Sequence, residues 1–193
     1  MSGISVKKFS WNPESLEAVC HYSVELKDGK YEKHTLECSD KPKSELVEAM
    51  QALAEPALRE CEVIRAADLK EREQWNSLLG DGYMEKNHDP IMAATDQREA
   101  FATVRSVSWS WSHEIMGASC CLLVKLEHSH TPLVINCPHK PEDQYSEAGT
   151  AHLLPGSLAD AYYELHNLVV AYINGDREPP EQIDMFEEKK ENT

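Results

Sequence analysis

Glycine, long apolar runs and an apolar leader are what this sequence has least of. Its eight glycines are scattered along 193 residues, so no glycine-rich loop is available to cradle a phosphate. No apolar stretch approaches the roughly 18 residues that a membrane span requires. The first eight residues lack the apolar region of a signal peptide. These absences predict a cytoplasmic protein that does not enter the membrane.

The sequence also lacks the motifs that hold a metal or activate a nucleophile. There is no Cys-x-x-Cys pair among the six cysteines, and the neighbours Cys120 and Cys121 are expected to point to opposite faces of a strand. Without export the thiols are expected to be reduced and to serve as small apolar residues. Cys38, Cys137 and His139 would meet around a zinc ion only if two distant turns packed together. We therefore predict no metal, no cofactor and no catalytic residue, and an enzyme is the less favoured class.

Basic side chains are outnumbered by acidic ones. The chain has 34 aspartates and glutamates against 19 lysines and arginines, which gives a formal net charge of −15. An acidic field repels phosphate, so direct binding to double-stranded DNA is not expected. Two interpretations remain open. The charge keeps the protein in solution, or ordered carboxylates imitate DNA towards a DNA-binding partner.

What the sequence does contain is one pattern that occurs twice. A hairpin pattern over residues 19–36 leaves through Cys38-Ser39-Asp40-Lys41-Pro42. A second, over residues 119–135, leaves through Cys137-Pro138-His139-Lys140-Pro141, so the two exits share Cys-x-x-Lys-Pro. The flanks match as well: Val6, Phe9, Ser10 and Trp11 with Val104, Val107, Ser108 and Trp109, and Leu46, Ala49 and Leu53 with Leu158, Ala161 and Leu165. The pattern predicts an internal duplication of a strand-strand-strand-helix unit.

Alternation of apolar residues and turn signals place the elements of each unit. Asp28 and Gly29 predict a tight turn between the second and third strands, and Pro56 predicts a kink or a new helix start. Ser44 and Ser157 are expected to cap the two helices, and the pair at 174–175, Asn-Gly, is expected to end the second helix. The predicted strands are 4–11, 19–26, 31–38, 103–111, 118–126 and 133–137, and the predicted helices are 45–79 and 158–173.

These elements divide the chain into four parts. Residues 1–80 form the first unit with its extended helix, 81–102 a connection with a short helix, 103–175 the second unit and 176–193 a disordered acidic tail. One unit alone is near the size at which cores become marginal, and joining two edge to edge would cover one open strand edge in each. We therefore predict an α+β fold in which antiparallel strands of both units share a sheet with the helices on one face. Two sheets packed face to face are the alternative.

One apolar island interrupts the charged tail: Gln182, Ile183, Asp184, Met185 and Phe186. The composition around it cannot form a core, so an exposed Met-Phe pair has no use in folding unless it packs back on the folded part. A glutamine followed at this spacing by Leu or Met and then Phe arises by chance at about 1 in 5,000 positions. The island is therefore the best functional clue in the chain.

The island resembles the peptide motif by which bacterial proteins dock on the β sliding clamp, the ring that tethers polymerases to DNA. That motif is commonly Gln, an aliphatic residue, Ser or Asp, Leu or Met, and Phe, and all five positions agree. The resemblance implies that Met185 and Phe186 fill an apolar pocket of the clamp. It implies that Gln182 forms a hydrogen bond at the polar edge of the pocket, with Ile183 and Asp184 as lesser contacts.

The predicted function follows from this resemblance. We expect an accessory protein of DNA replication, repair or recombination, or a bacteriophage protein that occupies the clamp, with the β sliding clamp as partner. The first alternative is that Ile183 and Phe186 anchor the tail to the folded part. The second is an acidic protein-binding or DNA-mimicking module that has no clamp interaction. The sequence leaves the oligomeric state open.

Overall fold

The computed structural model describes residues 3–12, 14–15, 17–61, 102–112, 115–125, 129–142 and 152–178. The helices in these ranges are α1 (Ser44–Ala52), α2 (Ala54–Glu60) and α3 (Gly156–Ile173). None of them is long and apolar enough to cross a membrane. The strands are β1 (Ile4–Asn12), β2 (Glu17–Glu25), β3 (Tyr31–Cys38), β4 (Ala102–Ser112), β5 (Ile115–Val124), β6 (Leu133–Asn136) and β7 (Lys140–Pro141).

All seven strands belong to one antiparallel sheet, and with the helices they make an α+β fold. Six strands follow the order β3-β2-β1-β4-β5-β6, and β7 also pairs with β5. The first three strands (β1–β3) and the last four (β4–β7) join where β1 pairs with β4, and Phe9 lies opposite Val107 in that pair. Of the two arrangements that the sequence left open, the single sheet is the one observed.

Each of the two central strands, β1 and β4, has one bulge, and a helix side chain forms hydrogen bonds with the strand backbone beside it. The β1–β2 pairing shifts directly after Val6, and the β4–β5 pairing shifts directly after Val104. Such a bulge removes ladder partners from nearby backbone groups. His166 of α3 accepts the Val6 N–H through Nε2 at 3.3 Å. Gln51 of α1 accepts the Val104 N–H through Oε1 at 2.8 Å and donates from Nε2 to the Val104 carbonyl at 3.1 Å.

The core lies between the sheet and the helices. The helices α1 and α3 pack against each other, α1 also contacts β4, and α3 also contacts β1 and β5. Trp109 donates from Nε1 to the Tyr162 carbonyl at 3.1 Å, and the rings of Phe9 and Tyr172 meet edge to face at 6.0 Å. The largest fully buried side chains are Val6, Phe9, Met50, Leu53, Leu58, Val107, Met116, Leu122, Tyr162, Leu165, Val169 and Tyr172. Burying one such side chain contributes about 1.5–3 kcal/mol, so this layer holds both strand groups to the helices.

The two outer strands of the six-strand path differ in what they expose. β3 begins with the exposed Tyr31 and then exposes Glu32, Lys33 and Glu37. Charged side chains hinder pairing with a strand of another molecule. β6 exposes Leu133 and Val134 instead, at 49% and 47% of their surface. The β6 side of the sheet is therefore the less protected one.

The turn and the helix break follow the sequence signals. Gly29 has a φ of 75° in the turn between β2 and β3, where a left-handed residue is required. α1 ends at Ala52 and α2 begins at Ala54, so Pro56 stands in the first turn of a new helix, where its missing N–H costs no hydrogen bond. The predicted continuation of the helix to residue 79 and the connection over 81–102 lie outside the described residues.

The two predicted serine caps are wrong. α1 begins at Ser44 itself with Lys43 as its N-cap, and α3 begins at Gly156 with Pro155 as its N-cap, and neither helix has a side-chain cap. Lys43 and Pro155 have ψ angles of 150° and 146°, the extended conformation that an N-cap residue adopts. The serines therefore stand one or two positions too late to cap. The Leu46 and Val47 N–H groups bond to the Lys43 carbonyl, and the Leu158 and Ala159 N–H groups bond to the Pro155 carbonyl.

Candidate functional site

The tail peptide that the sequence singles out lies outside the described residues. We call Gln182, Ile183, Asp184, Met185 and Phe186 the docking peptide. The last described residue is Glu178, four positions before Gln182. The structure describes the base of the tail, where residues 176–178 contact residues 38–43; we call this contact the tail anchor.

α3 ends in a turn that reverses the chain. Asn174 closes the helix, and Gly175 has a φ of 98°, in the left-handed region that favours glycine. The Gly175 N–H bonds to the Tyr172 carbonyl at 3.1 Å, and the Asp176 N–H bonds to the Ala171 carbonyl at 3.0 Å. These two bonds form a Schellman motif. The predicted end of the helix at 174–175 is confirmed, and the motif sets the direction in which the tail leaves.

Arg177 joins the tail to the exit of the first hairpin. Its Nη1 donates to the Asp40 carboxylate at 2.8 Å and to the Cys38 sulfur at 2.9 Å, and its Nε donates to the Tyr172 carbonyl at 3.2 Å. The guanidinium carbon lies 4.9 Å from the centre of the Tyr172 ring, within the range of a cation–π interaction. The Tyr172 hydroxyl in turn donates to the Asp40 carbonyl at 2.7 Å. The hydrogen bond from Arg177 holds the pKa of the Asp40 carboxyl below its usual value.

Two ion pairs, one on each side of Arg177 in the sequence, also join the two segments of the tail anchor. Lys41 lies 2.9 Å from the Glu178 carboxylate, and Lys43 pairs with Asp176. The Glu178 N–H also donates to the Lys41 carbonyl at 3.1 Å. An exposed ion pair contributes little by itself. Here the side chains of Asp176, Arg177 and Glu178 and the backbone N–H of Glu178 all bond to residues 38–43, so together they restrict this part of the chain. Residues 176–178, which the composition assigned to the tail, are held on the folded part.

Local composition did not predict the tail anchor. Residues 176–181 are charged and rich in proline, which is typical of a mobile segment. The sequence feature that could have predicted the tail anchor is a complementarity of charge. Residues 176–178 are acidic, basic and acidic, and residues 40, 41 and 43 are acidic, basic and basic. That match has meaning only once the end of α3 and the exit of β3 are known to be neighbours.

The residues considered for a zinc site do not come together. Cys38 is the last residue of β3 and Cys137 follows β6, and these two strands lie at opposite ends of the six-strand order. His139 contacts Ser110 instead, with Nε2 and Oγ 2.7 Å apart. Within the described ranges no group of three His, Cys, Asp or Glu side chains is placed to hold a metal ion.

No family model, no curated protein and no solved structure is similar enough to this chain to count as a match. No known protein therefore indicates a function for the fold or for the tail anchor.

Proposed function

We propose that this protein is an accessory factor of bacterial or bacteriophage DNA replication, repair or recombination that docks on the β sliding clamp through the docking peptide. The observation that supports it most is the position of that peptide just beyond the tail anchor. The anchor fixes the chain up to Glu178 by a backbone hydrogen bond and an ion pair to Lys41. A peptide placed there would couple the folded part closely to whatever it binds. The proposal includes a cytoplasmic location, because the clamp works there.

The short spacing limits where the clamp can lie. Between Glu178 and Gln182 stand Pro179, Pro180 and Glu181. Four residue steps span at most about 14 Å even when fully extended. A clamp held by the docking peptide would therefore sit beside the exit of β3 and the end of α3. That surface would be the first part of the folded domain to meet the clamp or its DNA.

Two side chains would supply most of the binding free energy. Burying Met185 and Phe186 is worth roughly 3–6 kcal/mol before ordering costs. With the Gln182 hydrogen bond and the lesser contacts, a net value on the order of 6–8 kcal/mol corresponds to micromolar binding. Affinity of that class suits a recruited factor, and also an inhibitor that competes with other clamp ligands.

We also propose that the folded part arose by internal duplication. The bulges follow Val6 in β1 and Val104 in β4, which are 98 positions apart. Phe9 and Val107 are also 98 positions apart, and they pair with each other at the junction of β1 and β4. A residue that pairs with its own counterpart lies on a two-fold axis, as expected for two copies joined edge to edge. The tail anchor breaks the symmetry, because it fixes the chain after the second unit to the exit of the first hairpin.

The test is a titration of the full-length protein against a bacterial β clamp. A variant with Gln182→Ala, Met185→Ala and Phe186→Ala would run beside it. The matched control changes Glu187, Lys189 and Glu191 to alanine, which alters as many residues of the same tail and leaves the docking peptide intact. We expect micromolar binding of the wild type and the control, and a loss of at least tenfold, about 1.4 kcal/mol, in the first variant.

Two results would remove the proposal. One is no binding up to about 100 μM. The other is binding that the triple change in the docking peptide leaves intact. Binding of DNA-binding proteins that weakens steeply with salt would then favour the acidic, DNA-mimicking alternative.

A further inference from the structure

Three thiols meet at the second hairpin. Cys120 lies in β5, Cys137 follows β6, and Cys61 follows α2. The sulfur atoms of Cys120 and Cys137 are 3.6 Å apart, and Cys61 is close enough to Cys137 for each to influence the pKa of the other. All three cysteines are free thiols in this structure. The docking peptide takes no part in this cluster.

The strand register places Cys120 and Cys137 face to face. The β5–β6 pairing runs up to Cys121 opposite Asn136, and the Cys137 N–H continues it by bonding to the Cys120 carbonyl at 2.9 Å. Directly opposite residues of an antiparallel pair hold their Cβ atoms about 4.5–5.5 Å apart. A disulfide needs Cβ atoms about 3.5–4.5 Å apart and sulfurs about 2.05 Å apart. The two strands therefore need to approach each other by about 1 Å, with a rotation of both side chains, for the bond to form.

The first hairpin offers a contrast within the same chain. Cys20 lies opposite Leu36, and Cys38 lies opposite Ala18, so the two thiols are displaced by two residues along the ladder. The Cys38 sulfur also accepts a hydrogen bond from Arg177. The sequence repeats the two cysteines, but only the second hairpin brings them into register.

The surroundings of Cys120 favour its thiolate. Hydrogen bonds from Cys137 and then from Tyr162 lower the pKa of Cys120 against the opposing effect of burial. Burial raises the pKa of Cys61 to about 12, so that thiol stays protonated at neutral pH. Cys120 is only 4% exposed, whereas Cys137 is half-buried. The more accessible sulfur and the better nucleophile are thus two different partners of one pair.

We propose that Cys120 and Cys137 are a reversible dithiol–disulfide pair, a modification site for low-molecular-weight disulfides. The Cys137 thiol attacks a disulfide RS–SR while its proton passes to the Cys120 thiolate along their shared hydrogen bond, which forms a mixed disulfide and releases one RS⁻. That RS⁻ takes the proton from Cys120 and leaves as RSH. The Cys120 thiolate then attacks the Cys137 sulfur and expels the second RS⁻. Two protein thiols are oxidised to one protein disulfide, and one RS–SR is reduced to two RSH. A thiol such as reduced glutathione reverses both steps.

The test is oxidation of the folded full-length protein with oxidised glutathione, followed by alkylation and peptide mapping. We expect one Cys120–Cys137 link, a mass lower by about 2 Da, and four free thiols left of the six cysteines. Reduced glutathione should restore all six. Phenylarsine oxide, which bridges neighbouring dithiols, should bind the reduced protein and protect both cysteines from alkylation.

Two variants sharpen the experiment. Cys137→Ser should lose the link and the arsenical binding. Cys121→Ser, a change in the next residue of β5 on its other face, should keep both. Three results would overturn the proposal: only mixed disulfides with glutathione, a link from Cys61 to either partner, or a Cys20–Cys38 link that forms as readily. Mapping the wild type decides between these results even if a variant fails to fold.

Discussion

His166 accepts the backbone N–H of Val6 through Nε2 at 3.3 Å. Its ring also stands edge-on against Trp109 and Trp111, at centroid distances of 5.8 and 5.4 Å. The acceptor nitrogen must be unprotonated for the bond to exist. A helix side chain thus repairs a bulge in β1 only while it carries no charge.

The free energy of unfolding should fall as the pH drops below about 6.5. Burial, and to a smaller extent the charge of Lys7, lowers the pKa of His166 below its ordinary value of 6.5. Between the folded pKa and 6.5 the unfolded chain binds a proton that the native state does not, so stability is lost there and is complete above that window. Urea unfolding from pH 8 to pH 5 would measure the fall. His166→Gln, which does not titrate, should show a smaller one, and equal falls would contradict the prediction.

Replacing Gln51 should destabilise the fold more than its half-buried position suggests. Gln51→Ala removes both hydrogen bonds to the Val104 backbone and leaves a donor and an acceptor without partners. We expect a loss of about 1–3 kcal/mol in the free energy of unfolding, measured by urea denaturation. Glu48→Ala, an exposed change in the same helix, is the control and should stay within about 0.5 kcal/mol. Similar values for both variants would mean that the bulge needs no help from α1.

Gly117 makes room for the Ser110–His139 hydrogen bond. A Cβ atom at this position would lie 2.6 Å from His139 Nε2 and 2.9 Å from Ser110 Oγ. Gly117→Ala should therefore cost about 1 kcal/mol, the low end for overpacking, because exposed side chains can move aside. Adding His139→Ala should recover most of that loss in thermal or urea unfolding. If the two changes were simply additive, the crowding argument would be wrong.

The tail anchor should open when Arg177 is removed. In Arg177→Ala the Glu178 amide, which bonds to the Lys41 carbonyl, should exchange its hydrogen about tenfold faster. Amides in the middle of α3 should exchange as before, because the helix does not need the guanidinium. Arg59→Ala, which removes an exposed pair with Glu55 in α2, should leave the Glu178 amide unchanged. Hydrogen exchange followed by mass spectrometry or NMR separates these outcomes.

Periodicity and turn chemistry predicted the strands well because they act between neighbours in the chain. The strand at 31–38 has its predicted bounds, and the glycine at 29 marks the turn before it. The contacts that fix the sheet to the helices are of another kind. Gln51 reaches a strand 53 positions away, and His166 one 160 positions away. No local pattern encodes which backbone group a bulge will leave open, so these partners could not be read from the sequence.

The candidate site shows the same limit. The apolar island of the docking peptide could be recognised because five adjacent residues form the pattern. The tail anchor could not, because it joins a hairpin exit to a helix end that lies 137 positions further along the chain, as in the Arg177–Asp40 pair. The Cys120–Cys137 pair depends on strand register. The corresponding cysteines of the first hairpin, Cys20 and Cys38, are two residues out of register.

The two outer strands of the sheet differ in how readily they could pair with a strand of a second molecule. β3 carries charges that turn away a second molecule, while β6 offers Leu133 and Val134. Two molecules that paired through β6 would cover both of the less protected edges and leave the two β3 edges, with their charged side chains, facing the solution. We therefore expect self-association through β6 to stop at a pair, because the charged side chains of β3 hinder the addition of a third molecule at the remaining edges.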